Sequence, residues 1–363
     1  MAADQTTTDT KNNAKEAYIS KTYNTEVGKA ETFSFTATQI MEGDDVIHTA
    51  HAVEIPTISF ETTDLGTTTK TKKINLVGTD FPEAGRYSYT VEENETANPS
   101  VTETAYEKLI MSDAEYRMDV YVVEKTGGTL EIDKIIVNKT KDDKGKATTG
   151  KVDIGGDASK NGFNFVNTYV QEAGTGTNPT DPDPTYNENG SLKVSKAVVN
   201  ANGTTTTPDD EFTFTATFAF PAGTNASTLG GIKANGGDVT LAEGGTYTFH
   251  LKANKNMKFT GVPVGTTITV KESAAKNYKG SAEIIINGAK LTSVAETSYN
   301  TELTAVTNQK LGQKQNTVDV TNTYNDVPVT GIIMNTLPYV LMVALCAVAL
   351  FGFVAFKRKK VQK

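Results

Sequence analysis

Cysteine is almost missing from this chain, tryptophan is missing altogether, and histidine occurs three times in 363 residues. The one cysteine, Cys346, falls inside the last apolar run, so everything before that run is cysteine-free. A disulfide framework, a thiolate nucleophile and a cysteine-based zinc site are thereby excluded from the body. Positive charge is scarce too. Of 35 Lys+Arg, five (Lys357, Arg358, Lys359, Lys360 and Lys363) lie in the last seven residues, leaving 30 against 43 Asp+Glu, a net of −13. Such an acidic body is a poor match for nucleic acid or anionic lipid. Of His48, His51 and His250, the first two form a close pair but an incomplete metal site, and the expectation for that pair is surface exposure. No glycine loop sits in a strand–loop–helix context, and no Ser-His-Asp order stands out. The acidic run Asp181-Pro182-Asp183-Pro184 reads as solvated linker rather than a calcium site. No metal and no cofactor is expected.

What the chain does have begins at its C-terminus. Ile332 to Phe356 is a run of 25 uncharged residues, longer than the roughly 20 needed to cross a bilayer core. The KRKK cluster after it would stay on the cytoplasmic side, which puts the long N-terminal part outside. A lipid-anchor signal would end apolar rather than basic. Just before the span, Val327-Pro328-Val329-Thr330-Gly331 resembles the LPxTG-type sorting signal of Gram-positive surface proteins, with Val in place of Leu. That resemblance implies sortase cleavage between Thr330 and Gly331 and transfer of the Thr330 carbonyl to an amine. The N-terminus opens on a polar stretch without an apolar run. An exported body needs a secretory leader, so the expectation is that one has been removed.

The body reads as strands broken by Gly, Asn, Asp and Pro turns. Phe33-Ser34-Phe35-Thr36-Ala37-Thr38 alternates large and small residues, and Phe212-Thr213-Phe214-Thr215-Ala216-Thr217 is nearly the same string 179 residues later. The repeat extends further. AYISK ending at Lys21 matches SLKVSK ending at Lys196. YTVEE ending at Glu93 matches ITVKE ending at Glu272. NFVNTY, with Asn167, matches DVTNTY, with Asn322. The Lys-to-Asn separations are 146 and 126 residues, so each repeat is a whole domain rather than a solenoid unit. All-β sandwiches follow. Expected boundaries are a disordered lead-in over 1–14, domain 1 over 15–170, a linker over 171–186, domain 2 over 187–326 and the sorting signal over 327–363. The linker, rich in Gly, Pro, Asn and Asp, should be partly extended and fairly stiff.

Taken together, these motifs resemble the two-domain backbone (major) pilins of Gram-positive bacteria, of the streptococcal T-antigen (FctA-like) type, over nearly all of residues 15–363. The resemblance implies two tandem immunoglobulin-like (CnaB-type) sandwiches and a C-terminal sorting helix. It also implies an internal isopeptide bond in each domain, between a Lys on the first strand and an Asn on the last, assisted by a Glu on a neighbouring strand. Carried over by position, the sets are Lys21, Glu93 and Asn167, and Lys196, Glu272 and Asn322. Alternation favours Glu93 over Glu92, because Glu93 shares a face with Val91 and Tyr89.

The three residue types suit the chemistry. A solvated lysine is protonated and cannot attack, but burial lowers its pKa and raises that of a carboxyl. A protonated Glu can then hydrogen-bond the Asn carboxamide and carry protons from the amine to the departing ammonia. The fold supplies the proximity. The reaction happens once per site, so the protein is expected not to be a turnover enzyme.

For polymerisation, the resemblance places the acceptor amine on a Lys shortly before the bonding Asn of domain 1. Lys160, seven residues before Asn167, fits, with Lys151 in reserve among Lys139, Lys141, Lys144 and Lys146 of a charged, exposed loop. The expected product links Thr330 to Lys160 of the next subunit in a head-to-tail surface fibre. Its expected partners are further copies of the chain, a class C-type pilin sortase, minor pilins and the cell wall. The alternative is a non-polymerised wall-anchored adhesin or stalk. A surface enzyme would need a catalytic constellation the sequence does not show.

Overall fold

A computed structural model of the chain describes residues 14–324, and their regular structure is strand apart from one short helix and two 3₁₀ turns. The all-β fold expected from the alternating strings is what is found, as two sandwiches in tandem. The sorting motif, apolar span and basic tail lie outside the described residues, and among the described residues no helix is long and apolar enough to cross a membrane.

The first sandwich faces a four-stranded sheet against a five-stranded one. The four-stranded sheet runs Gly66–Ile74, Ala17–Thr25, Asn164–Gln171, Glu107–Ile110. The five-stranded sheet runs Ala147–Lys151, Leu130–Lys141, Glu115–Glu124, Gly85–Glu93, Phe35–Ile40. In the second sandwich, Leu192–Val199 and Thr317–Tyr324 lie side by side at the centre of a seven-stranded sheet. The facing four-stranded sheet runs Thr246–Lys252, Glu211–Ala219, Thr267–Glu272, Leu303–Lys310. In both, the first strand pairs in parallel with the last.

Period-2 alternation explains which side chains fill the cores. Along Leu192–Val199 every second residue is buried, so Leu192, Val194, Lys196 and Val198 point inward. Along the equivalent strand Ala17, Ile19, Lys21 and Tyr23 do the same, each 0% exposed. A lysine therefore occupies a core slot in each repeat. The repeated aromatic string behaves differently in the two halves. Phe212–Thr217 lies within one strand, but Ser34 breaks its counterpart. Phe33 pairs with Ile58 in a separate two-stranded sheet, while Phe35 pairs with Glu93.

Two expectations need correction here. Ala14, assigned to the lead-in, is buried, and its carbonyl accepts from the Ile135 N–H at 2.7 Å. Residues 171–176, expected as the start of a partly extended linker, are buried against the second sandwich. Backbone bonds from Ala173 to Val262, Gly174 to Gly312 and Gly176 to Gln313 hold them there. At Gly174 (φ +81°) an added Cβ would fall 2.2 Å from the Gly190 carbonyl oxygen, so the polar-looking composition reflects close packing. The helix Pro184–Asn189 follows, and Asp181, Asp183 and Pro184 are exposed. Glu172 anchors this junction. One of its oxygens accepts from Tyr186 Oη, Ser191 Oγ and the Gly261 N–H, each at 2.6 Å. Burial pushes its carboxyl pKa up.

Candidate functional site: a buried Lys, Glu and Asn in each sandwich

The parallel pairing of first and last strands sets the geometry. Lys21 stands opposite Phe165, and Asn167 stands opposite Tyr23. Lys196 stands opposite Val320, and Asn322 stands opposite Val198. In each case Lys and Asn are same-face diagonal neighbours two positions apart in register, within reach of long side chains. The glutamate, expected on a neighbouring strand, is on one that is not hydrogen-bonded to the lysine strand. It ends a strand of the facing sheet and reaches across the core. Glu93 rather than Glu92 does so, since Glu92 is exposed and pairs outward.

All six side chains meet as two triads. In the first, Lys21 Nζ lies 2.5 Å from Glu93 Oε1, and the Asn167 Nδ2 amide donates to the same oxygen at 3.1 Å. In the second, Lys196 Nζ is 2.9 Å from Glu272 Oε1 and donates to Oε2 at 3.1 Å. The Asn322 Nδ2 amide donates to Oε1 at 2.7 Å. In both triads one carboxyl oxygen therefore touches the amine and the amide nitrogen together.

The surroundings are apolar. Lys21 Nζ sits 4.6 Å from the Phe33 ring centre, and Lys196 Nζ sits 4.2 Å from that of Phe212 and 5.9 Å from that of Phe214. The repeated aromatic string is thus the lid over each lysine, a role its pattern alone did not disclose. Burial lowers both lysine pKa values from 10.5 to about 8, against the opposing pull of the adjacent glutamate. Burial likewise raises Glu93 and Glu272, with the lysine and its hydrogen bonds pulling the other way. Desolvation is the larger effect in all four, so it brings amine and carboxyl towards a common pKa and makes proton transfer between them easy. Buried and held together, the set supplies the amine, the carboxyl and the carboxamide that amide formation with loss of ammonia requires.

The first site has a further layer. The Ser112 N–H donates to Asn167 Oδ1 at 2.7 Å, and at 3.3 Å to Glu93 Oε2. Met111 Sδ accepts from Asn167 Nδ2 at 3.2 Å. A cleft of about 910 Å³, lined in part by Glu93, Met111, Ser112 and Lys141, opens beside it. The space beside Glu272 and Asn322 is only about 10 Å³.

Lys160 belongs to neither triad and sits in a surface turn, where its N–H donates to the Asp157 carbonyl at 3.0 Å. Its side chain is 74% exposed and 3.3 Å from Asp157 Oδ2. Lys139, Lys141 and Lys151 are on strands rather than in the loop expected for them, and only Lys144 and Lys146 sit in the turn between. Lys139 is paired with Asp143 and Lys141 with Glu115, while Lys151 is exposed on an edge strand. Val327, Pro328, Val329, Thr330 and Gly331 lie outside the described residues. His48 and His250 are exposed, but His51 is half-buried, 4.2 Å from the Phe81 ring, and burial lowers its pKa.

Comparison with known proteins adds the following. A family described as a domain of unknown function (DUF7601) matches residues 190–324. No curated protein matches. Among solved structures, the chain is similar to a mutant form of the major pilin of Streptococcus pyogenes, at 18% identity and a TM-score of 0.34, covering 85% of this chain and 99% of that one. A second major pilin protein of that species gives 20% identity and 0.30, over 86% and 99%. An adhesin of Mobiluncus mulieris with intramolecular disulfide, isopeptide and ester cross-links gives 15% and 0.23, over 85% and 87%. These scores carry no functional weight by themselves. What the chain shares across its own two halves is a buried Lys, Glu and Asn in one geometry.

Proposed function

We propose that this chain is a pilin-like surface protein whose two sandwiches each close an internal Lys–Asn amide, Lys21 to Asn167 and Lys196 to Asn322. The observation that carries the reading is the shared carboxyl oxygen, Oε1 of Glu93 or Glu272, in contact with both nitrogens of each reaction. The glutamate first takes a proton from the lysine ammonium. The neutral Nζ then attacks the Asn Cγ, and a C–N bond forms. The proton shed by Nζ passes through Oε1 to Nδ2, the Cγ–Nδ2 bond breaks, and ammonia leaves. Parallel pairing already holds amine and amide together, so the entropy of bringing them into contact is met by folding.

The same reading makes the chain a fibre subunit. A pilin sortase would cleave after Thr330 and join that carbonyl to Lys160 of the next copy, giving a covalent head-to-tail polymer anchored at the cell wall. The exposure of Lys160 supports its choice as acceptor. Intact mass tests the internal bonds directly. The expected protein is lighter than its sequence by two ammonia, with tryptic peptides joined at Lys21–Asn167 and Lys196–Asn322. A full sequence mass would end the proposal.

A further inference from the structure

The two triads differ at the carbonyl. Asn167 Oδ1 accepts from the Ser112 N–H at 2.7 Å, whereas Asn322 Oδ1 is buried without a hydrogen-bond donor among the described residues. A backbone N–H can only donate, so it fixes the Asn167 carboxamide with its oxygen towards Ser112 and its NH₂ towards Glu93 Oε1. The same N–H is shared with Glu93 Oε2 at 3.3 Å. It is not a loose loop amide. Ser112 is 6% exposed, and its Oγ donates to Asp143 Oδ1 at 2.7 Å and accepts from the Ala114 N–H at 3.2 Å. Asp143 Oδ1 also accepts from the Val166 N–H at 2.9 Å, one residue before Asn167, and Oδ2 accepts from Lys139 Nζ at 3.0 Å. One carboxylate thus clamps the loop carrying the donor to the strand carrying the electrophile.

Attack by Lys21 would place negative charge on Asn167 Oδ1. A donor already fixed at hydrogen-bond distance stabilises that charge without reorganising. We infer that the Ser112 N–H is an oxyanion donor for amide closure in the first sandwich, that Asp143 positions it, and that this sandwich closes faster than the second. The inference rests on the proposed Lys–Asn bonds. Loss of one such donor in enzymes slows reaction by about 10²–10³. A difference of at least about 10-fold between the two sites is expected.

The test uses full-length chain recovered unreacted in denaturant and refolded by dilution, with samples quenched over time. Mass spectrometry then follows the Lys21–Asn167 and Lys196–Asn322 peptides separately. In the unmodified chain the first should accumulate at least about 10-fold faster. Equal rates, or a faster second site, would overturn the inference with no variant needed. Ser112→Ala, which keeps the N–H but cuts its tie to Asp143, should slow only the first site, and Ser112→Thr should restore it. Slowing of both sites alike, or no effect of Ser112→Ala, would also overturn it. If neither peptide ever forms in the unmodified chain, the bond reading itself is wrong, and the inference falls with it.

Discussion

Lys196→Met isolates what the second cross-link contributes. Methionine keeps most of the apolar stem of lysine, one heavy atom shorter, and its thioether can pack towards the Phe212 ring that lies 4.2 Å from the lysine nitrogen. It leaves no buried cation without a partner, and without Lys196 nearby burial favours the neutral form of Glu272 more strongly. The main loss is the amide. Lys196 and Asn322 are 126 residues apart, and a cross-link of that span restricts the unfolded chain by about 5 kcal/mol on the chain-entropy estimate. For a domain of this size that is a fall in melting temperature of about 15–20 °C. Differential scanning calorimetry should show the transition of the second sandwich moving down, with that of the first nearly unchanged. The variant should also lack one of the two ammonia deficits by intact mass. A variant that has lost the linked peptide but melts where the parent does would refute the reasoning.

Asn322→Ala should keep Lys196 and Glu272 as an unreacted pair. Lysine is then held near 8 in the folded state and 10.5 unfolded, so between those values the unfolded chain binds more protons and stability rises with pH. Measured against Lys196→Met at the same pH, its unfolding free energy from urea titration should improve from pH 8 to pH 10, by about 2 kcal/mol; a flat or falling difference would contradict the burial of a free lysine. Lys160→Arg should abolish the high-mass ladder made by a pilin sortase while Lys151→Arg leaves it intact, and a normal ladder from Lys160→Arg would remove that acceptor. Glu172→Ala orphans three buried donors at the junction and should cost about 3 kcal/mol, with new proteolysis between residues 171 and 191. Unchanged resistance there would show that the backbone bonds alone hold the joint.

Much of the site was legible because strand alternation is a strong code. Lys196 shares its parity with Leu192, Val194 and Val198, and Glu93 with Val91 and Tyr89, so inward-facing ionisable residues stood out against a core pattern. The internal repeat supplied each expectation twice. What stayed hidden was non-local. Nothing in YTVEE tells that its glutamate crosses from the facing sheet, because alternation gives the face but not the partner. The Ser112 contact is made by a backbone N–H and the Asp143 contact by loop closure, and neither leaves a trace in the pattern of side chains. Residues 171–176 misled for a related reason. Glycines and small polar residues read as solvated chain, yet here their backbone groups are paired with loops of the second sandwich, and Gln171 donates to Thr175 Oγ1 at 3.0 Å.

The pairing of first strand with last has a topological consequence. With both amides in place, residues 22–166 and 197–321 become closed rings, and a proteolytic cut anywhere within either ring leaves the subunit in one covalent piece. Only the stretch from Asn167 to Lys196 is single-threaded between them. Its first residues are buried in the last strand of the first sandwich and then against the second, while Thr177 to Thr185 includes most of its exposed positions. A protease that severs a fibre of such subunits between the two sandwiches would therefore have to find this short segment, and damage elsewhere in the rings would nick the polymer without shortening it.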